Sequence, residues 1–415
     1  MLTSIKVSAA ALLMPLCVHA QSVPPATAPR DTHPLTLAAA IELAVAANPG
    51  LRAAQIDVAI ADAGTMQADQ LPNPELALLQ EGTERGSRTR TVQISQRLEL
   101  GGKRAARLAL AASERHVAAQ DLAIAGAELR ANVMTAYFDV MTAQERLDLA
   151  QASLRLAAKA TDAATRRVAA GRISPVEQSR SQVAQASVQL EVAQAETGVM
   201  LARQRLAALW GDAVPVARPL AGLRTDLPPL PPLELLRERL DAAPQLRRAS
   251  ELVAREDARV RLERTRRVPD LSVTLGNKRD DEIGRHQAVL GLSIPLPLFD
   301  RNAGGKLAAL RLAEKARADL EAERLRLMGA LTDAWQRAQL AQAEVASITR
   351  DILPAAQGAY DAAVTGFELG KFSFLDVIDA QRTLFQIRSQ YLLALSERCR
   401  AGADLERYTA TGSSR

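Results

Sequence analysis

The sequence is poor in aromatic residues and in cysteine. Phenylalanine, tryptophan and tyrosine make up only 3% of its 415 residues, and it contains two cysteines. Bulky aromatic side chains help to fill thick globular cores, so their scarcity favours thin, alanine-rich seams between long helices. Removal of an N-terminal leader that contains Cys17 would leave Cys399 as the single cysteine, which excludes a disulfide within one mature chain.

Other features are missing after the leader. No stretch has about 18 consecutive apolar residues, so no transmembrane helix is predicted. The 52 basic and 47 acidic residues alternate along helical faces, whereas a nucleic-acid site needs clustered cations with stacking aromatics. His33, His116 and His286 fall on separate elements, so the sequence predicts no catalytic constellation, no metal site and no cofactor.

The N-terminus has the pattern of a secretory signal peptide. Lys6 precedes an apolar run, and the segment ends at Ala20, a small residue of the kind that signal peptidase cleaves after. We therefore expect a signal peptide over 1–20, an exported mature chain, and a flexible proline-rich segment over 21–34.

The mature chain contains one unit twice. A Gly-x-x-Ser pattern follows a long helical run at Gly171 and returns at Gly370, 199 positions later. In each copy the glycine suits the end of a helix, and the serine with an acid three residues on suits the start of the next. The expected copies span 35–209 and 234–409, with tips at 171–174 and 370–373. A proline-rich linker over 210–233 joins them, and a tail follows over 410–415.

Within each copy the period changes from helical to two residues and back. Alternation of apolar and polar residues predicts a β-hairpin at about 74–100 and another at about 270–298, the second with a polar turn over 277–282. A long helix follows each hairpin, from about 104 to 170 and from about 304 to 369, and Pro354 should kink the second.

Both long helices carry a coiled-coil seam, in which apolar residues recur at alternating spacings of four and three. The expected seams are Leu129, Val133, Ala136, Val140, Ala143, Leu147, Ala150 and Leu154 in the first copy, and Leu327, Leu331, Ala334, Ala338, Ala341, Val345, Ile348 and Ile352 in the second. At 1.5 Å per residue each helix should be about 100 Å long.

Two hairpins cannot close a membrane barrel alone, because the smallest such barrels have about eight strands. The strands must therefore be shared between protomers, with the hairpins in an outer membrane and the helices in the periplasm. The predicted fold class is mainly α with a small β part: duplicated long coiled-coil helices, and four strands per chain in a shared membrane β-barrel. That the helices form an α-barrel and that the β-barrel is trimeric is implied by the family resemblance described next.

These features resemble the outer-membrane efflux channels of the TolC family across nearly all of the mature chain. The sequences QRLELGGKR at 96–104 and PLPLFDRN at 295–302, where strands pass into long helices, are similar to its cobalt–zinc–cadmium branch. The resemblance implies a homotrimer with a twelve-strand barrel in outer-membrane lipid, continued by a tapered helical tunnel. It also implies a passive duct for divalent heavy-metal cations, supplied by an inner-membrane proton-driven pump through a periplasmic adaptor that docks near the tips.

The resemblance assigns candidate site residues as well. Asp376 and Asp379, which share a helix face, match two aspartates that line the periplasmic entrance in the family. Phe367 and Phe372 fall where the family can place a gate tyrosine and a gate arginine. Three chains would bring six carboxylates to one axis, a ring that favours cations. The candidate adaptor-docking residues are Gly171, Arg172, Ser174, Gly370, Lys371 and Ser373.

The residues alone leave other interpretations open. Helix capping and favourable charge at a helix start would explain the tip residues without any docking or gate. The same duct could serve a drug pump or a type I secretion system, and a soluble periplasmic coiled-coil adaptor is a further alternative. The duplicated hairpins and tips favour the duct, because an adaptor usually has a single helical hairpin.

Overall fold

The computed structural model describes residues 34–82, 88–221, 229–369, 371–372 and 374–409. The predicted signal peptide and tail therefore lie outside the described residues, as do Gly370 and Ser373 of the second tip. The elements of the described part are α1 (Leu37–Ala47), α2 (Pro49–Ala68), β1 (Glu75–Glu81), β2 (Thr89–Leu98), α3 (Lys103–Ala169), α4 (Pro175–Ala208), α5 (Leu233–Arg239), α6 (Pro244–Thr265), β3 (Leu271–Asp280), β4 (Arg285–Ser293), α7 (Ala303–Ser347), α8 (Leu353–Glu368) and α9 (Phe374–Thr409). This order confirms a duplicated, mainly helical fold with a small β part.

The helices form one layer. In the first copy α1 and α2 pack on α3, and α4, which follows the tip in the sequence, also packs on α3. In the second copy α6 packs on α7, and α9 packs on α7 and α8. The long helix α3 also contacts α6 and α9, so the two copies share one continuous layer of helices.

The alternating four-and-three spacing locates the buried seams. Leu327 and Leu331 are completely buried, as is Val133 at the corresponding place in the first copy. Small alanines between these residues let the helices approach closely, as the composition predicts. Ile352, the last expected member of the second seam, is 41% exposed, so its assignment was wrong.

A π-helical turn accounts for that error. The second long helix is not continuous from 304 to 369: α7 ends at Ser347, a π-helical turn spans Ile348–Ile352, and α8 follows. Pro354 has no amide hydrogen, and its ring would collide with the carbonyl oxygen of Arg350 in a regular α-helix. In the wider turn the Leu353 N–H donates to the Ile348 carbonyl, and the extra residue in this turn shifts Ile352 out of the seam.

The four strands form one antiparallel sheet in the order β1-β2-β3-β4. Strands β2 and β3 join the copies, with Leu98 opposite Leu271 and Thr89 opposite Asp280. The expected turn over 277–282 is wrong, because β3 continues to Asp280 and Gly284, at φ +67°, closes the turn. The expected second hairpin also extends too far: β4 ends at Ser293, since the prolines at 295 and 297 cannot donate to a ladder.

Two aromatic residues of the long helices hold connecting segments in place. The Ala221 N–H donates to the Leu35 carbonyl at 2.9 Å, and the buried Tyr137 hydroxyl lies 2.8 Å from that carbonyl and 3.2 Å from the Ala221 carbonyl. Trp335, 198 positions after Tyr137, donates its indole N–H to the Pro231 carbonyl at 3.0 Å. Each copy thus uses one polar-edged aromatic to hold a connecting segment.

Burial and charge pairing tie α7 to α9 in the same region. Arg337 on α7 donates to Glu397 and to Asp404 on α9, both at 3.1 Å, and to Asp333 on its own helix at 3.0 Å. Burial alone would lower the pKa of Arg337, but hydrogen bonds to the three carboxylates outweigh it and raise that pKa. The guanidinium is therefore charged at every physiological pH. No helix of the described residues has both the length and the apolarity needed to cross a membrane.

Candidate functional site at the helical tips

The first tip ends α3 with a Schellman motif. Gly171 adopts φ +68°, its N–H donates to the Val168 carbonyl at 2.9 Å, and the Arg172 N–H donates to the Arg167 carbonyl at 2.9 Å. These two bonds satisfy carbonyls that the end of the helix would otherwise leave without donors. The left-handed φ explains the glycine, because a side chain is strained there. Arg172 is exposed at the tip.

The next helix begins immediately. Ser174 is the N-cap of α4, and its hydroxyl oxygen accepts the Val176 N–H at 3.2 Å, with Pro175 in the first turn. The capping-box pattern predicts that this oxygen accepts the N–H of Glu177 instead, so the donor lies one residue earlier than expected and the cap is Ser174 as predicted. Glu177 still places negative charge where the helix dipole favours it.

The second tip repeats the arrangement with an aromatic addition. The Lys371 N–H donates to the Gly366 carbonyl, five residues earlier, at 2.7 Å. In the first tip the Arg172 N–H donates in the same way to the Arg167 carbonyl. The Phe372 ring packs on the backbone of Gly366, where a Cβ atom would lie only 2.2 Å from the ring. Gly366 is therefore required by close packing, not by its φ angle.

A cation–π contact joins the two tips of one chain. The guanidinium carbon of Arg167, in the last turn of α3, lies 4.5 Å from the centroid of the Phe367 ring at the end of α8. Arg167 is exposed and Phe367 is half-buried, so water reaches one side of the pair. Phe367 thus points toward the first tip, and Phe372 packs on its own tip.

Asp376 and Asp379 face a cavity between α8 and α9. The cavity has a volume of about 570 Å³, and its walls also include Phe372, Thr383 and several alanines. Both aspartates are exposed and lie in the first two turns of α9, where the helix dipole favours negative charge. The structure therefore brings three of the four predicted gate residues, Asp376, Asp379 and Phe372, to one cavity, and leaves Phe367 outside it.

A polar network also links α8 and α9. The Arg388 guanidinium donates to the Gln357 amide oxygen at 3.0 Å, and the Gln357 amide nitrogen donates to the Asp361 carboxylate at 3.0 Å. Burial, and then the charge of Asp361, raises the pKa of Tyr360, which keeps its hydroxyl neutral. Across the described residues, no three His, Cys, Asp or Glu side chains are grouped so that they could hold a metal ion.

Sequence reasoning missed two residues that shape this site. Arg167 looks like one more surface arginine, because its partner Phe367 lies 200 positions away. Gly366 looks like an ordinary helical glycine. An aromatic residue follows it six positions later, next to a predicted helix end, and this spacing could have indicated that a ring packs on the glycine.

Comparison with known proteins gives consistent matches over both copies. A model of the family described as outer membrane efflux protein matches residues 40–212 and 235–411. The chain is 43% identical over 374 residues to the cobalt-zinc-cadmium resistance protein CzcC of Cupriavidus metallidurans, and the match covers 90% of each chain. It is 29% identical to the nickel-cobalt-cadmium resistance protein NccC of Alcaligenes xylosoxydans, over 68% of this chain and 65% of that protein.

Solved structures share the fold. The crystal structure of the outer membrane protein VceC from Vibrio cholerae superimposes with a TM-score of 0.76 at 19% identity, and the superposition covers 90% of this chain and 95% of that one. The duplicated architecture, the match to the family in both copies, and the identity to a relative over nine tenths of its length show that this chain belongs to the outer membrane efflux protein family.

Proposed function

We propose that the protein is the passive outer-membrane duct of a three-part efflux system whose cargo is divalent heavy-metal cations. Membership of the family places it in the outer membrane with its helices in the periplasm. The observation that carries the cargo proposal is the 43% identity with a cobalt-zinc-cadmium resistance protein over nine tenths of both chains. An inner-membrane proton-driven pump supplies the energy, and a periplasmic adaptor connects that pump to the duct.

The unpaired edges of the sheet support a trimer. Within the described residues β1 and β4 each pair on one side only. A strand edge of this kind pairs readily with another chain, and three copies of a four-stranded sheet would supply the strands of a closed barrel. Exposed apolar residues on the outer helices of the layer, such as Ile60 on α2 and Leu325 on α7, favour the same assembly through helix packing.

Asp376 and Asp379 are proposed to form the cation-selective entrance. In a trimer the two aspartates of each chain would contribute six carboxylates around one axis. Closely spaced like charges repel one another, so such a ring gains stability from bound cations and excludes anions. Phe372 lines the same cavity and supplies an apolar constriction beside the acids. Phe367 acts differently, because it links the two tips through Arg167.

The two tips are proposed as the adaptor-docking surface. Gly171, Arg172 and Ser174 form an exposed turn in the first copy, and Lys371 is exposed in the second. Their backbone bonds fix the turns whether or not a partner binds, so docking adds to their capping role. Gly370 and Ser373 complete the proposed surface, although they lie outside the described residues.

The cargo proposal is tested by complementation. A strain that carries a matching pump and adaptor but lacks its outer-membrane duct receives this gene, with a duct of drug-efflux function as the control. We expect growth in cobalt, zinc and cadmium to be restored, with no gain in resistance to dyes or detergents. Restored drug resistance or protein secretion without metal resistance would identify one of the alternative ducts instead.

A further inference from the structure

The four-stranded sheet has two chemically different faces. On one face, the apolar face, Leu76, Ile94, Leu275 and Leu290 form one row of directly paired residues across all four strands, and Leu290 is 74% exposed. The opposite face, the polar face, carries the hydroxyls of Ser95 and Thr274, which lie 2.8 Å apart. Since exposed apolar rows on an outer-membrane sheet face lipid, the apolar face is the lipid-facing one.

The same register places a basic row on the lipid-facing side, nearer the hairpin turns. Gln80 on β1 lies opposite Arg90 on β2, Arg90 lies opposite Arg279 on β3, and Arg279 lies opposite His286 on β4. We call these four residues the basic row. All of them are exposed. On the same face of the sheet, they lie one or two rows of paired residues closer to the hairpin turns than the apolar rows do.

Adjacent arginines in a sheet are unfavourable without an anion. Directly paired residues have Cβ atoms about 5 Å apart, and like charges in such pairs are destabilising. The Arg279 guanidinium pairs with the Asp281 carboxylate at 3.2 Å. Arg90 has no ion pair with any residue that the structure describes, and His286 accepts or donates one hydrogen bond with Asn277 at 3.0 Å. The basic row therefore carries more positive charge than its described neighbours neutralise.

The basic row lies at the outer boundary of the membrane. Helices α2, α3 and α6 all join the opposite ends of the strands, so the row is at the end farthest from the periplasm. From Leu98 to Arg90 the strand advances about 26 Å at 3.3 Å per residue, or about 20 Å across a membrane at the usual tilt. This distance is close to the height of about 25 Å that an outer-membrane apolar band has.

We propose that the basic row binds phosphate groups of the lipids in the outer leaflet of the outer membrane. Guanidinium groups donate paired hydrogen bonds that match the geometry of a phosphate, and an arginine at the membrane boundary costs far less than one at the midplane. The acyl chains of the same lipid cover the apolar rows beneath. This inference rests on the outer-membrane location and not on the metal cargo, so a negative result in the complementation test would leave it standing.

The test uses the purified full-length mature trimer in detergent and lipid A as the probe. Binding of lipid A is measured by native mass spectrometry for the wild type and for the double variant R90Q/R279Q. The matched control is R97Q/R285Q, which removes two arginines of β2 and β4 from the polar face of the same sheet. We expect lipid A to bind the double variant at least about tenfold more weakly and the control as tightly as the wild type.

Chemically modified probes separate lipid phosphate from other causes. Dephosphorylated lipid A should bind the wild type as weakly as intact lipid A binds R90Q/R279Q, and millimolar inorganic phosphate should not displace the lipid. Equal binding of the dephosphorylated lipid, or displacement by free phosphate, would overturn the proposal. If R90Q/R279Q fails to form trimers, R90K/R279K provides the measurement, because it keeps the charge. Loss of lipid A from that variant with an intact trimer would support recognition by the guanidinium groups. Binding of both intact and dephosphorylated lipid A at the wild-type level would refute the proposal.

Discussion

Replacement of Arg167 by glutamine should make the periplasmic end of the duct open more often. The Arg167 guanidinium lies over the Phe367 ring at 4.5 Å, and this contact connects the last turn of α3 with the last turn of α8. If the two helix pairs of a chain, α3 with α4 and α8 with α9, must separate at their tips for the entrance to widen, this contact stabilises only the closed form. Glutamine removes the charge and keeps a polar side chain of similar reach.

The size of the effect follows from the exposure of the pair. An exposed cation–π contact contributes about 0.5–1 kcal/mol, because water competes for the cation. Loss of one contact would therefore shift the closed-to-open equilibrium about two- to fivefold. Three chains that open together would multiply this factor to about 10- to 100-fold for a trimer.

Single-channel recording in planar bilayers measures the open probability directly. The control is R166Q, since Arg166 is on the same turn but pairs with Asp162 on its own helix. A second variant, F367L, removes the ring and keeps an apolar side chain, and R167Q/F367L should open no more often than either single variant. The reasoning would be refuted by an R167Q channel that behaves like R166Q, or by single-variant effects that simply add.

Three further predictions address the acids, the first tip and the buried thiol. The variant D376N/D379N should weaken block of the channel by divalent cations added from the periplasmic side several-fold in bilayer recordings, whereas D361N, farther from the entrance, should not; equal block in both variants would leave the aspartates as helix-start charges. Because Gly171 has φ +68°, G171V should strain the first tip and reduce chemical cross-linking to the adaptor while the trimer persists, and unchanged cross-linking would contradict docking there. Burial raises the pKa of the Cys399 thiol to about 11. The native protein should therefore react with maleimide at pH 7.5 at least about 100-fold more slowly than the unfolded chain. Rapid labelling of the folded trimer would show that this part of α9 is not packed as described.

The periodic features of the sequence determine much of the fold. The seam through Leu327 and Leu331 could be predicted because only one face of a long helix can be buried against its neighbours. The end of α3 could be predicted from Gly171, because a left-handed residue is needed there. Pro354 predicted a kink, but the sequence did not show that an extra residue per turn would rotate Ile352 to the surface.

The contacts between the two copies could not be predicted from local patterns. The pairing of Arg90 with Arg279 depends on the register of β2 and β3, and a slip of one residue would move each side chain to the opposite face. The packing of Phe372 on Gly366 and of Arg167 on Phe367 depends on how two long helices lie side by side. The resemblance predicted a gate that includes both phenylalanines, and that role stays a prediction. The sequence could not show that Phe367 contacts Arg167 whereas Phe372 packs on Gly366.

The π-helical turn makes the two halves of the chain mechanically unequal. Helix α3 runs 67 residues without a break and acts as a stiff rod, while the corresponding helix of the second half has a joint at Ile348–Ile352. After a duplication, one copy can stay rigid while the other becomes more flexible, which a chain with a single helix pair could not do. In a ring of three chains the rigid pairs (α3 with α4) and the jointed pairs (α7 and α8 with α9) would alternate. Bending of the jointed pairs would then widen the entrance while the rigid pairs kept the shape of the tunnel.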